Sequence, residues 1–195
     1  MRHNYSIYIA IFFLVSCVAL PLLSTAQFRY TTQKAAVSIA GTSSLHDWTE
    51  KSKEGAGVAV FTFADDKLVL NGLSFVVPVK SLKSEHSSMD NNTYKALKAD
   101  KNPNITYTAT TAHLTRIDAE TFNATTTGTL TIAGTTNNVE IAANVKVNPD
   151  KTITVTGSKK IKMTDYKVDP PTAVMGTIKT GNDITISFNC KFIKQ

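Results

Sequence analysis

The segment Gly41-Thr42-Ser43-Ser44-Leu45-His46-Asp47-Trp48 gathers the residues most capable of chemistry. It holds the only Trp of the chain and a His beside an Asp, with two serines just upstream. A hydrolytic site would use Ser43 or Ser44 as nucleophile and His46 as base. That chemistry requires the base to be oriented by a third group in space. Neighbouring residues on a strand point to opposite faces, so His46 and Asp47 are poorly placed to pair. No nucleophile-elbow motif accompanies them. The segment reads instead as a strand edge, where Trp48 plugs one end of a barrel and His46 bonds to backbone.

Other candidates have equally plain readings. His46, His86 and His113 are the histidines beyond the N-terminal segment, and none sits at ligand spacing such as i, i+4. No metal or cofactor is expected. Cys190 shares a face with Ile184, Ile186, Phe188 and Phe192, as a small buried hydrophobe does. Lys159, Lys160 and Lys162 flank Ile161 and suit either an acidic surface or a strand edge guarded by charge. No phosphate loop, dinucleotide fingerprint or nucleic-acid motif is present.

The elements around these residues announce themselves by alternation. Ile184, Ile186, Phe188, Cys190 and Phe192 interleave with Asp183, Thr185, Ser187, Asn189 and Lys191. Val139, Ile141, Ala143, Val145 and Val147 interleave with Glu140, Ala142, Asn144, Lys146 and Asn148. One dry face and one wet face are the mark of antiparallel sheet. The 28 threonines, β-branched and hydroxylated, suit its wet side. The pattern predicts about eight strands, near 34–40, 57–64, 67–79, 104–115, 120–133, 137–148, 151–163 and 182–193. Turns are expected at Ala64–Lys67, Gly134–Asn138 and Asn148–Lys151. Around Asn71-Gly72 the apolar parity changes from even (Leu68, Leu70) to odd (Leu73, Phe75, Val77), so a β-bulge must absorb the slip. One helix is expected, Ser87 to Ala99, with Ser88 as its cap. The long connection Thr164–Asn182 is of a length often used for function. Such a chain is all-β, and alternation alone leaves both a closed barrel and a β-sandwich with a filled core open.

Composition sets the outer limits. The chain has 195 residues, 42% of them hydrophobic and 18% charged, and a net charge of +6. This excludes a disordered chain or coiled coil. Two cysteines exclude a disulfide scaffold. Residues 1–26 read as a secretory signal peptide: Arg2 and His3, an apolar run from Ile7 to Leu23, then Ser24-Thr25-Ala26 before a cut at Gln27. The rivals are an uncleaved anchor and lipidation at Cys17, whose lipobox-like Leu14-Val15-Ser16 precedes an apolar run that continues past it. Export leaves a mature domain of residues 27–195, periplasmic or secreted, with the net charge reduced to about +5 by loss of one Arg. Spread without a dense block, that charge favours loose contact with an anionic membrane surface and not nucleic acid.

Several passages together resemble the YceI-like family. They are Val77-Pro78-Val79-Lys80-Ser81-Leu82-Lys83-Ser84 with Met89-Asp90 and Tyr94-Lys95-Ala96-Leu97-Lys98, then Asn102-Pro103-Asn104-Ile105-Thr106-Tyr107. Gly128-Thr129-Leu130-Thr131-Ile132-Ala133-Gly134-Thr135 through Val139, Lys162-Met163-Thr164-Asp165-Tyr166 and Gly181–Ile186 follow in the family's order. The resemblance implies a lipocalin-like antiparallel barrel of about eight strands with one short helix. It also implies an apolar tunnel holding a polyisoprenoid or similar lipid chain without catalysis. Its wall would comprise Phe61, Phe63, Phe75, Val77, Tyr94, Leu97, Ile105, Tyr107, Leu130, Ile132, Ile141, Ile186 and Phe188, with Trp48 and His46 near the mouth. The family's Arg before the Asp is Met89 here, so no head-group contact carries over at that position.

Overall fold

The computed structural model describes residues 27–64, 67–173 and 175–195, with the side chains of Phe63, Ala64, Lys67 and Ala173 outside that description. The N-terminal segment read as a signal peptide, including Cys17, lies outside the described residues, as do Asp65 and Asp66 of one expected turn.

Ten strands follow in order: β1 (Gln27–Ser43), β2 (Trp48–Ser52), β3 (Ala56–Ala64), β4 (Lys67–Pro78), β5 (Asn104–Arg116), β6 (Thr121–Ile132), β7 (Thr135–Val147), β8 (Ile153–Lys162), β9 (Thr172–Ala173) and β10 (Ile178–Lys194). The helix α1 spans Ser87–Ala96. All pairings are antiparallel, and β1 pairs with β10 from Tyr30↔Lys194 to Ser43↔Thr180. That last pairing closes β1-β3-β4-β5-β6-β7-β8-β10 into an eight-stranded barrel. Closure decides against the sandwich. The short β2 continues along β1 beyond β3, and β9 adds to the start of β10. Neither short strand was anticipated: five and two residues are too few to show a period.

Four register shifts interrupt the long ladders among the described residues, three of them single-residue bulges and the fourth between Gly41 and Ser43 where β1 meets β10. Val60 pairs with Gly72 and Phe61 with Leu70, so Asn71 is the extra residue that the parity change required. Its amide donates to the Thr62 hydroxyl at 2.5 Å. Gln33 in β1 and Thr110 in β5 are skipped in the same way.

The connections sort into two ends. At one end lie the β5–β6 and β7–β8 turns with both described termini. Asp118 closes the first by accepting from the Glu120 and Thr121 N–H groups, each at 2.8 Å. In the second, the Lys151 N–H donates to the Asn148 carbonyl at 2.8 Å and Lys151 takes a left-handed φ of 62°. The opposite end carries the 43–48 turn, the helix, the 163–180 connection and the β6–β7 hairpin. That hairpin turns on Ala133 and Gly134, with φ of 49° and 81°, as a two-residue turn of two left-handed residues demands. The turn is thus shorter than expected, and residues 135–138 already belong to β7.

The helix starts at His86, whose backbone is extended and whose side chain makes no capping bond, rather than at Ser88. Asp90 closes the N-terminus instead, accepting from the Ser84 N–H and hydroxyl, both at 2.7 Å. Three residues earlier than expected, α1 ends because Lys98 turns left-handed (φ 53°) and the Ala99 N–H returns to the Tyr94 carbonyl.

The buried cluster with the most members lies at the turn end. Tyr30, Phe61, Leu68, Leu70, Phe122, Ile153 and Phe192 form one buried cluster, with Tyr30 and Phe61 edge-to-face at 5.6 Å. Ile153 has no exposed surface. Ile153→Ala is expected to cost ~2–5 kcal/mol through lost burial and a residual cavity. It should lower the urea midpoint while leaving the slope unchanged.

One seam in the wall is unlaced. The β7–β8 ladder runs only from Val147↔Ile153 to Ala143↔Gly157. Beyond it, toward the helix end, residues 135–142 and 158–162 face each other without ladder pairing among the described residues. The Asn137 amide spans the top of the seam, donating to the Asp165 carbonyl at 2.7 Å.

Candidate functional site: a two-lobed interior cavity

Inward-facing residues leave the barrel hollow in two adjoining lobes, whose walls share Ile39, Ile105 and Ile186. The lobe toward the turn end has a volume of about 150 Å³, and the lobe toward the helix about 250 Å³. Together they reach the lower range of small-molecule sites, ~300–1,000 Å³.

The inner lobe is almost wholly apolar. All eight barrel strands line it, with Phe61 from β3, Phe75 and Val77 from β4, Tyr107 from β5, Leu130 from β6, Ile141 from β7 and Phe188 from β10. The buried cluster at the turn end forms its floor. Its main polar pair is satisfied internally: the Tyr107 hydroxyl bonds to Thr126 at 2.7 Å, and the Thr126 hydroxyl donates to the Ile141 carbonyl at 3.2 Å. Burial pushes the Tyr107 hydroxyl above its ordinary pKa, so it stays neutral. Cys190 lies on this wall, and burial pushes its thiol up to about 11, which leaves it no thiolate character. Lys159 stands at an inward position of β8 beside the seam, where its stem lines the lobe. Lys160 and Lys162 face solvent.

The mouth lobe is different. Leu97 and Ile132 line it beside Ile161, Met163 and Ile184. The 43–48 turn brings His46, β2 brings Trp48 and Glu50, the helix and its cap bring His86, Asn92 and Thr93, and Pro171, Thr172, Ile178 and Thr180 complete the rim. Trp48 lies flat against Gly41, where a Cβ would come within 2.5 Å of the indole, so only glycine admits this stacking. The indole N–H donates to the Thr42 carbonyl at 3.0 Å. His46 Nδ1 bonds to the Asp47 carbonyl at 2.7 Å. The Ser43 hydroxyl donates to the His46 carbonyl at 2.7 Å and accepts from the Leu45 and His46 N–H groups. That hydroxyl therefore organises its turn and is not aligned with the imidazole. His113 sits on β5, away from the mouth, and no group of three metal-ligating side chains occurs among the described residues.

Of the residues expected on the wall, two stand apart. The side chain of Phe63 lies outside the described residues. Tyr94 lines neither lobe: its hydroxyl donates to the carbonyls of Lys80 (3.0 Å) and Leu82 (2.7 Å), and the Lys83 ammonium sits 5.1 Å over its ring. It pins α1 to the 79–82 turn instead.

Sequence reasoning missed Glu50 and Tyr166. Glu50, 1% exposed, follows Trp48 by two in β2 and so points inward. Thr93 donates to one carboxyl oxygen at 2.5 Å. Burial pushes its pKa up from 4.5 to about 7, the Thr93 bond opposes this, Asp90 adds to it and Lys83 offsets part. Asp90 itself is held low: burial raises it, but the Ser84 hydroxyl and N–H and the Lys83 ammonium (3.6 Å) outweigh that. Tyr166, 2% exposed, comes from the short turn after β8.

A closed antiparallel barrel, floored at one end, open at the other and hollow between, places the molecule among the lipocalin-like ligand-enclosing barrels. The family model described as a YceI-like domain matches residues 23–192, and the chain belongs to that family. Among solved structures, Burkholderia cenocepacia BcnA aligns with a TM-score of 0.63 at 17% identity, over 80% of this chain and 95% of that one. A polyisoprenoid-binding domain from Saccharophagus degradans, described as implicated in plant cell wall breakdown, gives 0.65 at 13% identity, over 85% and 98%. The Campylobacter jejuni YceI protein gives 0.51 at 25% identity, over 71% and 81%. No curated protein sequence matches the chain.

Proposed function

We propose that this protein is an exported, non-catalytic carrier that holds a polyisoprenoid or similar apolar lipid chain inside the barrel. The observation that carries the reading is the inner lobe, whose wall combines residues from all eight strands and leaves almost no polar group unsatisfied. A chain there gains ~25 cal/mol per Å² removed from water, before the cost of ordering it. The Saccharophagus domain, described as polyisoprenoid-binding, supports the same ligand class. A non-catalytic role agrees with a serine tied into its turn, a histidine bonded to backbone and a thiol held neutral. The leader-like composition of residues 1–26 supports export, and with it a periplasmic or secreted carrier. The net positive charge suits transient contact with an anionic membrane surface, from which a lipid is collected.

Organic extraction of the purified protein, read by mass spectrometry, is expected to release an apolar chain lipid. Protein stripped of it should take up a supplied polyisoprenoid at about one per barrel. Repeated extraction without lipid, together with no uptake, would remove the basis for the reading.

A further inference from the structure

We propose that the mouth lobe is a head-group site for a neutral hydroxyl terminus, held between the Glu50 carboxyl and the Tyr166 hydroxyl, and that it disfavours phosphorylated ends. This deepens the lipid-carrier reading and rests on it. Two buried polar groups on the lobe wall have bonding capacity to spare. One Glu50 oxygen accepts from Thr93, and the other has no partner among the described residues. The Tyr166 hydroxyl is buried and makes no hydrogen bond among the described residues. Asn137 lies near enough to lower the hydroxyl's pKa against the effect of burial, yet no bond of hydrogen-bonding geometry joins the two, and the Asn137 amide donates to the Asp165 carbonyl. A buried hydroxyl left unpaired is costly, so Tyr166 gains from a ligand that completes it, and Glu50 has an oxygen left to accept from the same ligand. A hydroxyl does both: it donates to the Glu50 oxygen and accepts from Tyr166.

The electrostatics exclude the alternative head. No Lys or Arg lines the lobe among the described residues. From the helix side the nearest acid is Asp90, whose cation Lys83 it already holds at 3.6 Å. His86 at the helix start and His46 in the turn complete the titratable groups on the wall. A phosphate placed here meets the Glu50 carboxyl with no Lys or Arg on the lobe wall itself, Lys83 being held by Asp90 and Lys159 lining the adjoining lobe. Burial that keeps Glu50 partly protonated near neutral pH agrees with an uncharged partner.

The test uses delipidated full-length protein and three probes with one tail: farnesol, farnesyl phosphate and the headless hydrocarbon farnesane. Farnesol is expected to bind at least tenfold more tightly than farnesyl phosphate at pH 7.5, a value chosen to lie above about 7. Tyr166→Phe should weaken farnesol three- to tenfold and leave farnesane unchanged, with a melting temperature equal to or above that of the parent. Glu50→Gln, which removes the charge, should narrow the preference for farnesol over its phosphate. Equal binding of alcohol and phosphate, or the same loss of farnesane as of farnesol in Tyr166→Phe, overturns the head-group site while the carrier reading stands. Failure of all three probes to bind overturns both.

Discussion

Ile186→Trp is expected to split the ligand range in two, abolishing capture of long chains while sparing short ones. Ile186 sits on β10 between Ile39 of β1 and Lys159 of β8, at the waist common to both lobes. An indole there fills the passage and leaves the mouth lobe intact. Each methylene kept out of the inner lobe forfeits ~0.8 kcal/mol, so the loss of about four carbons of burial weakens binding more than a hundredfold. Overpacking costs the fold about 1–3 kcal/mol, which a thermal melt will register without loss of the transition. Titration with short and long polyisoprenoids on the same preparation makes the comparison internal. Ile186→Ala, which widens the waist, should keep both. If Ile186→Trp binds long and short chains with unchanged affinities, the two lobes do not act as one tunnel.

The second large effect is a pH dependence of stability set by Glu50. Its folded-state pKa is raised from 4.5 to about 7, so between these values the folded protein holds a proton that the unfolded chain has released. The neutral carboxyl is comfortable below the lower value. As pH rises through the window the folded state must charge a buried group, and stability falls. With ~1.36 kcal/mol per pKa unit, the loss reaches the order of 3 kcal/mol above the window. Glu50→Gln retains an oxygen for the Thr93 hydroxyl but carries no charge. It should match the parent near pH 4 and exceed it at pH 8, as read by urea midpoints at both values. A parent no more sensitive than the variant across this window would show that the carboxyl is not desolvated.

Reading the sequence reached the strands because they are long and half-wetted. Ile184 to Phe192 and Val139 to Val147 could alternate only as strands with one dry face, and the parity change at Asn71 marks a bulge in the sequence itself. Alternation is blind to closure, which depends on Val37 meeting Phe188 across the whole chain length. The cavity wall was legible for the same reason as the strands: inward residues are the apolar ones. The polar mouth was not. Glu50 lies in a five-residue strand where a single Glu reads as solvent-facing, and Thr93 reaches it from a helix 43 positions away. Tyr166 belongs to a turn whose neighbours fix its burial only in three dimensions. Tyr94 was misplaced because helical spacing gives a face but not what that face meets, here two backbone carbonyls.

The unlaced seam between β7 and β8 bears on colloidal behaviour. Closure removes most of the free edges through which sheets recruit one another, but the β7–β8 ladder stops short of residues 135–142 and 158–162. An unpaired edge is a template for a second chain and for fibrillar stacking. Lys160 and Lys162 face solvent along that edge, so a copy approaching in register would bring like charges together. The β-branched, threonine-rich neighbourhood would otherwise favour such growth. Two of the lysines that look like a binding patch in the sequence thus guard a strand edge against pairing with a second copy.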